Sequence, residues 1–453
     1  MNQLLKAMGF WIWGLIAIGL SVALVSMNGR VLSLYRAHDI ATATRVTAPA
    51  ESHLAVNGDS QIPSLQAPPR GLMISRVIAA EMTAAQKAVQ AGQWTEAVKY
   101  LEVARTKSGL TPFDEMSIDR FEGYANIKLN NLRAAQDSYE RAVATGAVPA
   151  ADKTSMTRTL FTLAATSNQY QKTIDYGEEM ADAGVATPND VAMIAQSFYQ
   201  MKDCKNSSTW SDKAIAAAFA AGEAPKENVY LFKLQCASDA GYNAAMIPIL
   251  IDLIRLNNKS MYWNILLRIE RREERDDHNT LMLYRLMYDT GAMSAGSDYI
   301  EMAQLLGDAG LPGEAQTVLE KAMSARLIND QQRERTDRLL NSYKNRAEAD
   351  KMSQAQLAAA APASWTANIT VKLGEVYYGS GDYENAAATI NLGLQPNADS
   401  TDEGYVYLGR AQVQLKNIAG AKQAFAGLKS SRNVSPRVLR LYQLYSDTLH
   451  SPS

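Results

Sequence analysis

Few residues in this chain have the types and spacing to do chemistry. Cys204 and Cys236 lie 32 positions apart, about one period of the repeat described below, so stacking could bring their thiols together as a disulfide in an oxidising compartment. The bland alternative is two small buried hydrophobes that never meet. Asp276-Asp277-His278 has metal-ligand types, but adjacent residues point apart and no second histidine lies nearby, so a solvated turn is the reading adopted. Gly379-Ser380-Gly381 is followed by Asp382 and Tyr383 rather than the Gly-Lys-Ser/Thr of a phosphate loop. Glu273 and Glu274 are paired carboxylates inside a mixed charge run. A Gly-x-Ser-x-Gly elbow, a His-Glu-x-x-His helix and cysteines at zinc spacing are all missing, so the expectation is a protein that is not an enzyme and carries no metal or cofactor.

Composition narrows the partners. A net charge of -2 gives no electrostatic footprint for nucleic acid, and 4 His with 2 Cys leave little for a metal site. Tyrosine outnumbers phenylalanine 21 to 8, which suits helices that pack a ring inside and leave a hydroxyl at a wet edge.

The elements that position these residues are best read from 365–396. Leu373, Gly374, Tyr377 and Tyr378 precede a Gly381-Asp382-Tyr383 turn, and Ala386 and Ile390 follow at helical spacing. Gly374 and Ala386 are small where two antiparallel helices would touch, while Leu373, Tyr377 and Ile390 fill the space around them. The stretch resembles a tetratricopeptide repeat (TPR). Similar patterns occur at 75–107 (Ala85, Ala88, Gly92-Gln93-Trp94, Ala97, Leu101, Ala104) and at 113–146 (Gly123, Ala135, Tyr139, Ala142), and weaker ones at 153–184, 189–222, 226–257 and 260–291. The pattern is regular again at 297–326, with Gly310-Leu311-Pro312 as its turn.

Residues 330–363 break the series with a charged stretch whose apolar stripe is narrow, read as a helix bridging two halves of an array, with a degenerate repeat whose second helix is eroded as the alternative. The domain expectation is 1–30 membrane anchor or signal, 31–74 linker, 75–329 repeat array, 330–363 connecting helix and 364–453 further repeats with a capping helix from Pro436. Ala7 to Met27 carries no charge over 21 positions, long enough to span a bilayer. The rival is a cleaved signal with Ser21-Val22-Ala23 near the cut. The fold expected is an all-α TPR superhelical solenoid with an N-terminal transmembrane helix.

In the TPR family the first helix of each pair lines a concave groove that docks peptides or helices. Carried over to this chain, that pattern nominates Arg120, Tyr124, Gln196, Tyr199, Tyr230, Glu375, Tyr378 and Arg410 as partner-binding residues. Between Thr111 and Lys429, above all at Lys259-Ser260-Met261-Tyr262-Trp263 and 299–325, the chain also resembles bacterial envelope TPR proteins that accompany TonB-type systems. That resemblance implies a scaffold at the inner membrane with its repeats in the periplasm, binding envelope or transport proteins. Arg30, Arg36 and Arg45 outnumber Lys6 and favour the alternative of a cytoplasm-facing adaptor. A polysaccharide-export or assembly factor is a further alternative.

Overall fold

The computed structural model describes residues 73–358, 367–394, 401–429 and 433–450. The expected membrane anchor or signal at 1–30 and all but the last two residues of the linker expected at 31–74 lie outside the described residues. Among the described residues every regular element is a helix, and none is long and apolar enough to cross a membrane.

Helices arise here in hairpins because one turn recurs. In α1 (Ala79–Gln90) and α2 (Trp94–Arg105) the link is Ala91-Gly92-Gln93, with Gly92 left-handed at φ 71°. The Gln93 amide then donates 2.8 Å back to the Ala88 carbonyl. This closes the first helix while Gln93, at φ -89° and ψ 67°, opens the second. The same device joins α3 (Pro112–Lys128) to α4 (Leu132–Ala144) through Asn130, α5 (Ala150–Thr166) to α6 (Tyr170–Asp182) through Asn168, and α7 (Pro188–Gln200) to α8 (Cys204–Ala220) through Lys202. Asparagine tolerates the left-handed region better than most side chains, whereas Lys202 is held there by the surrounding hairpin.

The molecule divides into two compact units, residues 1–233 and 234–453, so that α9 (Glu227–Asp239) contains the division. In the first unit the described helices stack in sequence, with two apolar clusters among α1 to α6. One holds Met82, Ala85, Leu101, Ile118 and Phe121; the other holds Met116, Ala135, Tyr139, Met156 and Leu160. A Cβ on Gly123 would meet the Tyr139 ring at 2.7 Å, so glycine is what lets α3 approach α4.

In the second unit, α10 (Asn243–Leu256), α11 (Ser260–Glu273), α12 (Asp277–Asp289), α13 (Gly296–Asp308) and α14 (Pro312–Ser324) precede the long α15 (Asp330–Ala358). The recurrent turn reappears at Gly241 and Gly310, but not between α11 and α12, where the Asp276 side chain instead caps α12 at the Asn279 amide. The charged helix α15 does more than bridge. Thr336, Leu340, Tyr343 and Ala347 form a buried stripe, Tyr343 covers Gly307 of α13, and Lys344 pairs with Glu320 of α14 at 3.1 Å.

Hairpins α16 (Ala367–Gly379) with α17 (Tyr383–Gly393) and α18 (Thr401–Gln414) with α19 (Ile418–Gly427) follow, turning at Gly381 and Lys416. At Gly374 a Cβ would meet Ile390 at 2.3 Å, the close approach that the sequence pattern predicts. The final helix, α20 (Pro436–Thr448), packs along α10 and α12 as well as α19. Its Tyr442 hydroxyl donates 3.1 Å to the Met282 carbonyl, and its cap residue Ser435 donates its amide 3.0 Å to Asn279. The capping helix expected at an open end is therefore an internal strut of this unit.

Candidate interaction surface

In the first unit two successive leading helices, α3 and α5, carry their charges in a repeated arrangement. The ninth residue of α3, Arg120, donates 2.8 Å to Asp152, the third residue of α5. The ninth residue of α5, Arg158, donates 2.9 Å to Asp190, the third residue of α7, and 2.6 Å to the Val185 carbonyl. A carboxylate suits that place because the first-turn amides of a helix present partial positive charge. Each rung thus ties one leading helix to the start of the next. Arg120 is committed to this role, and it keeps a quarter of its side chain in solvent.

The other nominated residues of this unit divide by burial. Tyr124 is 6% exposed, edge-on to Trp94 at 6.0 Å, with the Lys128 ammonium 5.3 Å from its ring. Tyr230 is buried too. Gln196 and Tyr199 are half-buried, and the Tyr199 ring stacks on Phe232 with centroids 4.9 Å apart. Of the original set, Arg120, Gln196 and Tyr199 therefore retain surface in the first unit.

The second unit draws its three nominated residues inside. Arg410, on α18, is 1% exposed and holds Asp289 of α12 through Nε at 2.7 Å and Nη2 at 3.1 Å, while Nη1 donates to Glu314 of α14. Glu314 also accepts from the Tyr407 hydroxyl at 2.5 Å and from Arg285 at 3.3 Å. Tyr378 lies under the Arg410 guanidinium at 4.8 Å and edge-on to Tyr407 at 5.1 Å. Glu375 is 2% exposed, with Lys372 Nζ 2.7 Å from one of its oxygens. These side chains meet one another instead of a partner, because α18 lies over the ends of α12 and α14 that an open groove would leave in water.

Electrostatics follow from that packing. Burial pushes the Glu314 carboxyl up, but Arg410 and Arg285 outweigh it and bring it down to about 2. Asp289, with Arg410 as its main cation and Glu314 nearby, is left above the ordinary carboxylate range by burial. Glu375 is pushed up to about 7, first by burial and then by Glu403.

Arg285, Asp289, Glu314 and Tyr407 were not singled out from sequence. Arg285 is the ninth residue of α12 and Glu314 the third of α14, so the spacing seen at Arg120 and Asp152 would have found that pair. Cys204 opens α8 and Cys236 lies within α9, and neither is a free thiol. No group of three or more His, Cys, Asp or Glu is placed to hold a metal among the described residues. Gly379 packs so closely on α14 that a Cβ would meet the Glu314 amide at 2.8 Å, a helix contact in place of a phosphate loop.

No family model and no curated protein matches the chain. Among solved structures, a tetratricopeptide repeat protein from Parabacteroides merdae is similar at 10% identity, covering 66% of this chain and 99% of that one, with a TM-score of 0.29. The C-terminal part of a TPR repeat-containing protein from Cytophaga hutchinsonii gives 11%, 71% and 98%, with 0.30. The TPR2AB domain of yeast Sti1, in a complex with pHSP90, gives 12%, 59% and 98%, with 0.31. At such identities and scores the description of this chain rests on its own turns and helix pairs: its described residues form repeated antiparallel helical hairpins that resemble TPR units.

Proposed function

We propose that this protein is a non-enzymatic scaffold that binds other proteins along the leading helices of its first unit, centred on Gln196, Tyr199 and Arg120. The observation that carries the reading is the pair of arginine rungs, which hold α3, α5 and α7 in fixed register and so offer a preformed surface on which little ordering entropy is lost. The uncharged run 7–27 supports a tether at the inner membrane, and the resemblance to envelope TPR proteins supports a periplasmic array accessory to a TonB-type transport system. A tether would raise the effective concentration of partners in the same membrane.

The test joins topology to capture. A reporter active only in the periplasm is fused after Ser453, and cells are crosslinked and pulled down through the repeats. Periplasmic activity, with envelope proteins lost from the pull-down on changing Gln196 and Tyr199 together to alanine, is the expected result. A silent reporter on a fusion that accumulates at full length would move the scaffold to the opposite face, as Arg30, Arg36 and Arg45 favour. An unchanged pull-down from a double variant with native circular dichroism would remove the surface assignment.

A further inference from the structure

Within the second unit, the turn before α14, the later part of α15 and the start of α16 border an open pocket of about 430 Å³, with a smaller one of about 230 Å³ beside it. Leu311, Val376, Asp350 and Glu375 line both, and Leu373 adds an apolar wall to the larger. Glu375 is nine-tenths buried or more. Lys372 forms an ion pair with its Oε2 at 2.7 Å from a side chain that is 53% exposed, and Oε1 has no donor. A buried carboxylate with unused acceptor sites is normally satisfied by a donor. The lining sets Asp350 and Glu375 against Lys372 in the larger space and Glu314, Glu320, Asp350 and Glu375 against Lys351 in the smaller, an excess of negative charge that disfavours an anion. Among the described residues no group of three His, Cys, Asp or Glu is placed there to hold a metal ion. The volume falls within the range of small-molecule sites.

We propose that this pocket binds an aliphatic primary amine. Its ammonium group donates to Glu375, its carbon chain lies against Leu311, Leu373 and Val376, and Asp350 receives the second ammonium of a diamine. This site is separate from the protein-binding surface of the first unit and stands without it.

Calorimetry of the full chain at pH 8, with n-butylamine, 1,4-diaminobutane and n-butanol as probes, tests it. Both amines should bind saturably, the diamine more tightly, and the alcohol should not bind. Glu375→Gln should weaken both amines at least tenfold, whereas Asp350→Asn should weaken the diamine alone. Absence of saturable amine binding, equal binding of the alcohol, or full amine affinity in folded Glu375→Gln would each overturn the proposal. Should Glu375→Gln fail to fold, the comparison of amine with alcohol and the Asp350→Asn selectivity still decide it.

Discussion

Arg158 with Asp190 in the first unit and Arg285 with Glu314 in the second are one motif in two environments. In each, the ninth residue of a helix reaches the third residue of the next helix in its layer. The Arg158 side chain is 40% exposed, while that of Arg285 is fully buried beneath Tyr407. Water screens the first pair and makes it worth little; the second has lost its hydration and depends wholly on its partners. Position in a repeat therefore determines which residues meet, and what later helices cover determines how much the meeting matters.

The largest effect should come from the buried side. Arg285→Met leaves Glu314 and Glu403 with one cation fewer and should destabilise the second unit by about 3–5 kcal/mol, read from urea unfolding of the full chain. A loss below about 1 kcal/mol would show that burial does not distinguish the two rungs. Next in size is Glu375. Its folded value near 7 lies above the ordinary glutamate value of 4.5, so the folded state holds the proton more tightly. The stability this confers is complete below about pH 4.5 and is lost as pH rises through about 7. Glu375→Gln should flatten that slope in unfolding midpoints taken across the window; an unaltered slope would place its origin elsewhere. The smallest effect belongs to the exposed rung, where Arg158→Ala should cost at most about 1 kcal/mol and less at high salt. A cost matching Arg285→Met would erase the contrast.

Much of the fold was legible because hairpins are local. Gly123 against Tyr139, and Gly374 against Ile390, lie 16 residues apart and follow from helical spacing and side-chain size alone. The rungs, 29 to 32 residues apart, were legible in principle from the repeat length, because an arginine at the ninth position of one helix and a carboxylate at the third position of the next helix but one fall about one period apart. The buried cluster was not legible. Arg410 reaches Asp289 across 121 residues and Tyr407 reaches Glu314 across 93, and no repeat period connects them. Arginine and tyrosine are favoured both at interfaces and in dense cores, so residue type alone could not say on which side of the surface Tyr378 and Arg410 would fall.

Asp190 serves two elements at once. It accepts the Thr187 amide at 2.8 Å, which starts α7, and the Arg158 guanidinium at 2.9 Å, which docks α5. One side chain thereby acts as a length gauge for the segment between them. Insert or delete a residue after Arg158, and the carboxylate can begin its own helix or reach the neighbouring one, but not both. A lineage of such repeats would tolerate substitutions along its helices far more readily than changes in the count of residues between them, and deletions would survive mainly as whole hairpins.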